Sequence, residues 1–352
     1  MTIHKNRDIN LDIIRTAAIF FVLAVHFYDS SGFPGETMGS AVDFVMLCGW
    51  FITHSCVPLF IMLSGWLCCK KELSAKYYLG FIRILLIYLI CSAACLVFRK
   101  LYLGEELGLR YIFGSVVNFY ACGYAWYVML YFGLFLLIPF LNIIYNNLDS
   151  KGKKLTLICT MFALSILPSL LNQFIQLYSI WWTRLYPLCY YFIGAYLREY
   201  RPRISAAKTA LLLIAAVLLF SLFDLFYYSQ RAMAMIGIAY ENYQVFSVSL
   251  LVFILLLKIP AQKLPGGLCR GFALVSELSF TVYLISWIPD GILYPLLISR
   301  FPVPVDRFVW MLPCSLLVLL CSLLLAWLID FIYRPLASAS KKLLCRLFPA
   351  LN

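Results

Sequence analysis

A chain of 352 residues that is 64% hydrophobic and only 12% charged lies far outside the balance of a water-soluble protein. Its net charge of +12 does not mark a nucleic-acid binder, because the basic residues sit in short clusters between apolar runs rather than along one face. The 13 cysteines lie mostly inside those runs as small hydrophobes and imply neither a disulfide framework nor a metal site.

Mainly apolar runs long enough to cross a bilayer fall, in chain order, near 13–29, 41–68, 78–98, 125–145, 154–171, 181–198, 206–228, 243–258, 272–297 and 308–333. They predict an all-α, polytopic transmembrane bundle of about ten spans, forming one integral-membrane domain over residues 1–352 with no soluble domain. The first run carries Arg15 and His26 and lacks a small-residue cleavage site, so it reads as a retained span rather than a signal peptide. The second is longer than a bilayer requires and contains Pro58, which predicts a tilted or kinked helix, or an interfacial helix followed by a short span. After the third, the aromatic stretch Leu107 to Cys122 predicts an interfacial helix.

Orientation follows from the basic residues. With the amino terminus inside, 21 of the 28 Lys and Arg fall on the cytoplasmic side, among them Lys5, Lys151, Lys341, Lys342 and Arg346. Only Arg99, Lys100, Arg110, Arg231, Arg300 and Arg307 fall outside, with Arg184 left within a span. An even span count then puts both termini in the cytoplasm.

Ionisable groups inside spans are costly in hydrocarbon and should face a cavity, a partner or an interface. The first span holds the densest set. Arg15 and His26 are eleven residues apart, and eleven steps of about 100° return to within ~20° of the starting direction, ~16.5 Å farther along the axis. Asp12 lies three residues before Arg15 and Asp29 three after His26, where each carboxylate could meet its basic neighbour. The bland alternatives are a snorkelling anchor for Arg15, a carbonyl-bonded histidine for His26 and an outer-loop position for Asp29. Of the other histidines, His4 lies in the polar amino terminus and His54 is a second candidate.

At these residues the sequence resembles the membrane-bound acyltransferase-3 family, multispan enzymes that acylate cell-surface sugars and lipid-linked glycans. Asn10-Leu11-Asp12-Ile13-Ile14-Arg15 through His26 is similar to the family's Arg-x10-His first-span signature. Val57 to Trp66, ending in Ser64-Gly65-Trp66, resembles its Phe-rich run closing on Ser-Gly-aromatic. Ala125-Trp126-Tyr127 followed by Pro139, Tyr191-Phe192-Ile193-Gly194, and Leu278 to Leu284 with Tyr283 follow in family order. Two positions depart from the pattern. Gly80 stands where an Arg-x-x-Arg pair would precede Arg83, with Lys76 two turns before Arg83 as a replacement charge, and Ser286 stands where the family ending has histidine.

The resemblance implies transfer of an acyl group, most often acetyl, from cytoplasmic acyl-CoA to a sugar hydroxyl, in the bacterial cytoplasmic membrane. His26 is then the buried base of near-neutral pKa, with Arg15, Asp12 and Asp29 along the same stripe. Arg15, Lys76 and Arg83 are expected to meet the phosphates of acetyl-CoA at the cytoplasmic mouth, with no metal involved. Trp126, Tyr127, Tyr283 and Ser64 are expected to meet the acceptor, a glycan or lipid-linked sugar, and the remaining partners are membrane lipids. The rival class is a transporter or exporter, since intramembrane Asp, Arg and His also build proton relays, although no inverted repeat is visible. Oligomeric state is not legible, because lipid-facing and partner-facing apolar surfaces look alike.

Overall fold

The computed structural model describes residues 7–236 and 239–347; His4 and Lys5 lie outside it, as do the side chains of Lys341, Lys342 and Arg346. In chain order the α-helices are α1 (Ile9–Ser30), α2 (Ala41–Thr53), α3 (Cys56–Cys68), α4 (Ala75–Leu101), α5 (Leu109–Val117), α6 (Trp126–Asn146), α7 (Lys151–Ser165) and α8 (Leu167–Leu171). They continue with α9 (Tyr186–Glu199), α10 (Ala206–Tyr227), α11 (Tyr243–Leu257), α12 (Gly266–Ile285), α13 (Trp287–Arg300), α14 (Pro304–Arg307) and α15 (Met311–Leu347). No strand occurs among the described residues.

Short polar side chains open the long helices, because the first N–H groups of a helix have no partner within it. Asp8 accepts from Asn10 N–H at 3.0 Å ahead of α1, and Ser40 and Asp43 cap one another's backbone at the start of α2. Ser74, Ser150 and Ser205 each accept from the N–H three residues on, at 3.2 Å, and Asn242 accepts from Gln244 N–H at 2.7 Å.

Among the described residues seven segments are long and apolar enough to cross a membrane: Ile9–Ser30, Ala41–Cys68, Ala75–Leu101, Trp126–Asn146, Ala206–Tyr227, Gly266–Ile285 and Pro304–Ser340. They fall on seven of the ten expected spans, and α5 lies within the expected interfacial stretch. The other three, 154–171, 181–198 and 243–258, contain the shorter helices α7, α9 and α11, of 15, 14 and 15 residues. At 1.5 Å per residue each is about 21–23 Å long, short of the ~30 Å hydrocarbon core. The causes are local: Pro168 interrupts the helix after α7, Pro187 stands in the first turn of α9, and Asn242 opens α11 late.

Proline also sets the breaks within longer runs, by removing an N–H and crowding the carbonyl four residues back. Pro58 lies four residues after His54, where α2 gives way to α3, and Pro289 four after Ile285, where α12 ends. Thus the second run is a kinked helix, broken at His54-Ser55. In α6, Pro139 leaves the Phe135 carbonyl without its helical donor, and Tyr77 Oη donates to it at 2.6 Å. The two rings stack at 4.5 Å and 14°. Tyr77→Phe keeps the stack and loses the hydrogen bond, so it is expected to cost about 1–2 kcal/mol, measured as a lower unfolding midpoint in detergent. An unchanged midpoint would show that this carbonyl finds another donor.

The helices group into two compact units. One comprises Met1–Cys69, Tyr145–Glu277 and Tyr294–Ser315, the other Lys70–Ile144, Leu278–Leu293 and Leu316–Asn352. In the first unit α3 lies against α9 with backbone in contact with backbone. A Cβ at Gly65 would stand 2.0 Å from the Tyr191 carbonyl oxygen, and one at Gly194 2.0 Å from that of Met62. Small residues permit such an approach, which is how helices associate where no hydrophobic effect separates them from lipid. α1 packs on α2, α3 and α11. In the second unit α4 meets α6 through Phe81 on Phe132, at 4.5 Å, and α5 through Tyr88 Oη donating to Val116 O at 2.6 Å.

Candidate active site

The first unit carries the ionisable stripe. From Asp12 onward α1 is buried along most of its length, with Ile14, Ala18, Ile19, Leu23 and Ala24 closed off completely. His26 is buried among them at 7% exposure, and Asp29 is exposed at the end of the helix. Arg15 is half-buried, and its Nη1 donates to Ser276 Oγ at 3.0 Å.

Asp12 does not depend on Arg15 for a cationic partner. Arg7, just before the helix, folds back and grips both its oxygens, Nε to Oδ2 at 2.5 Å and Nη2 to Oδ1 at 2.9 Å, and also donates to Ala273 O at 3.0 Å. The hydrogen bond to Asp12 raises the proton affinity of the Arg7 guanidinium above its ordinary range, against the opposing effect of burial. Asn10 donates to the carbonyls of Leu256, at 3.1 Å, and Ile259, at 2.8 Å, and so closes the end of α11. Thr16 donates to Phe272 O at 3.3 Å. Three motif positions beside Arg15 therefore fasten the helix.

The other described histidine is chemically committed. His54 is buried at the break between α2 and α3; its Nε2 accepts from Trp50 Nε1 at 2.8 Å, and its Nδ1 lies 2.9 Å from Trp50 O. A carbonyl only accepts, so Nδ1 carries the proton and the ring's one lone pair is already taken by the indole. His54 has no basic nitrogen to offer a substrate, which leaves His26 as the candidate base among the described histidines.

In the second unit the expected aromatic residues come together. Tyr127 stands edge-on to Tyr283 at 5.9 Å and 87°, and Trp126 lies 6.0 Å from Tyr127. Tyr283 Oη donates to Tyr124 O, which ties the loop before α6 to α12. Tyr127 and Tyr283 are largely buried, whereas Trp126 is 41% exposed. Ser286 is fully buried and donates to Tyr283 O at 3.0 Å, so the position at which the family ending has histidine serves here to close the end of α12. Lys76 and Arg83 are both exposed on α4. Ser64, in the first unit, spends its hydroxyl on Phe60 O at 2.9 Å, within its own helix, beside the close contact at Gly65.

Two arginines that the sequence marks only as outer charges prove to be organisers. Arg307 is buried and donates to the carbonyls of Phe301, at 2.6 Å, Ser31 and Pro302. Arg99 holds Glu105 at 2.8 Å and Tyr111 Oη at 2.6 Å, with Trp287 5.7 Å from its guanidinium carbon. Their partners are backbone carbonyls and side chains six or more residues away, which leave no periodic trace in sequence.

Many apolar helices around a buried histidine and a half-buried arginine on one helix define a multi-pass membrane protein with an ionisable site in its helical part. Residues 8–327 match the acyltransferase-3 family, described as an acyltransferase domain, and the chain belongs to that family. It is therefore a membrane acyltransferase. Neither the curated proteins nor the solved structures contain a match to this chain. No group of three or more His, Cys, Asp or Glu able to hold a metal occurs among the described residues.

Proposed function

We propose that the enzyme transfers an acyl group, acetyl in the first instance, from cytoplasmic acyl-CoA to a hydroxyl of a cell-surface or lipid-linked sugar, in the bacterial cytoplasmic membrane. The observation that carries this reading is His26, buried on the same helix face as Arg15, in a chain of this family whose other described histidine has no free lone pair. The chain crosses the membrane ten times with both termini inside, α7, α9 and α11 being short crossings; the excess of Lys and Arg on one side supports that orientation. The family match runs through segments of both units, which supports reading them as one catalytic domain.

In this mechanism His26 takes the proton of the acceptor hydroxyl as its oxygen bonds to the thioester carbon. The carbon–sulfur bond then breaks, and the imidazolium returns the proton to the leaving thiolate. Arg15, about 16.5 Å nearer the cytoplasm, and Lys76 and Arg83 on α4 supply cations for the donor's phosphates. Asp12 and Asp29 flank the stripe, Asp12 held by Arg7. Trp126, Tyr127 and Tyr283 offer ring faces and edges for the sugar, and Ser64, whose proton is given to Phe60 O, offers its oxygen as an acceptor.

Mass spectrometry of surface glycans with and without the gene tests the reaction. The expected difference is one acyl group per modified sugar, and identical masses would overturn the acceptor class. Arg83→Ala is expected to raise the apparent KM for acyl-CoA more than it lowers kcat, because a phosphate contact is made in ground and transition states alike. A fall in kcat at constant KM would remove Arg83 from the donor site.

A further inference from the structure

Between Leu155 and Thr183 the chain has no Asp, Glu, Lys, Arg or His. The segment that joins α8 to α9 displays Phe174, Ile175, Leu177, Ile180, Trp181 and Trp182, each 53–87% exposed. Connecting loops that stand in water are polar, and an exposed apolar patch of this size marks a surface that meets something other than water.

Part of the segment's backbone is satisfied without water. Backbone groups in hydrocarbon have to be satisfied internally. Asn172 does this for a whole turn: its Oδ1 accepts from the N–H groups of Leu177 and Tyr178, both at 2.8 Å, and its Nδ2 donates to Tyr178 O at 2.9 Å. Thr183 Oγ1 donates to Ile180 O at 3.0 Å, and Trp181 N–H to Ser179 Oγ at 3.3 Å. The patch continues an apolar face already present, because Phe174 packs edge-on to Tyr227 at 5.4 Å, at the end of α10. On that helix Leu211, Leu219 and Phe226 are exposed. On its far side α9, about 21 Å long, stops several ångströms short of a full hydrocarbon thickness, which draws the end of the segment below the surface of the bilayer.

We propose that the segment Asn172–Trp182 is embedded in the outer leaflet, with its apolar side chains against phospholipid chains and its two tryptophans at the headgroup boundary. The proposal rests on the ten-crossing reading above, in that α7 and α9 begin and end at the same membrane face. Tryptophan concentrates at that boundary because its ring is apolar and its N–H is polar.

A benzophenone amino acid at Trp181, an 87% exposed position, tests the contact in native membranes. Irradiation is expected to add the mass of a phospholipid to the chain; a crosslink to a second copy, or no lipid adduct, would overturn the proposal. Leu177→Cys, read by peptide mapping at that position in sealed vesicles, is expected to resist a membrane-impermeant maleimide until detergent is added. Modification from the outer face would overturn the embedding and leave the ten crossings standing. Modification from the face that carries Lys151 would overturn both.

Discussion

His26→Ala is expected to lower acyl transfer per folded molecule by ~10²–10⁴-fold, the range that a positioned general base contributes. The position is buried in the packed part of α1, so the protein must be quantified first and turnover normalised to the folded fraction. His26→Gln keeps the polarity and much of the volume but cannot cycle a proton at neutral pH, and should be as inactive as the alanine variant. If glutamine restored activity, the residue would be a hydrogen-bonding support and not a base. His54→Gln is the contrasting substitution. Its lone pair is committed to Trp50, so turnover per folded molecule should stay near wild type even where the yield falls.

The largest structural effect is expected where α3 meets α9. A methyl group at Gly65 would stand 2.0 Å from the carbonyl oxygen of Tyr191, and one at Gly194 2.0 Å from that of Met62. Both obstacles are backbone, with no flexible side chain to swing aside. The helices must then separate by roughly an ångström or more, and dispersion contacts all along the interface weaken with them. Gly65→Ala or Gly194→Ala is expected to cost about 1–3 kcal/mol, and leucine at either position more, enough to remove most of the folded, extractable protein. Because the two sites share one interface, the double alanine variant should cost less than the sum of the singles. Fluorescence-detected size exclusion after a temperature ramp reads the effect. A wild-type midpoint for Gly65→Leu would mean that the helices are not in backbone contact.

Much of the helical plan was legible along the chain. Ser74, Ser150 and Ser205 announce the helices that follow them, and Pro58 announces the break that falls four residues earlier, at His54. Residue-to-residue partnerships were not. Ser64-Gly65 and Ile193-Gly194 read as separate motifs, and nothing in a one-dimensional pattern says that their glycines lie on facing helices. The spacing rule for helical pairs offered Asp12 to Arg15, three residues on, whereas Arg7 reaches it from outside the helix, where the rule does not apply. Length alone also overcounts the long helices, since the runs at 154–171, 181–198 and 243–258 are apolar enough yet are shortened by Pro168, Pro187 and the late cap at Asn242. At the candidate site, His26 was readable as an ionisable group eleven residues beyond Arg15 in an apolar run. That His54 is spent was not, because its lone pair is taken by a single indole N–H one turn earlier.

The fastening of α1 has a mechanical consequence. At its start, Arg7 and Asn10 bind it to α12 and to the end of α11. At its other end, Tyr28 Oη donates to Met46 O at 3.0 Å and Arg307 clasps the Ser31 carbonyl. A helix nailed at both ends does not piston. Carriers that work by alternating access need an element free to slide or rock relative to its neighbours, and the rod that holds Arg15 and His26 is not free within its unit. In the proposed mechanism the two groups are fixed posts, and the reactants travel to them.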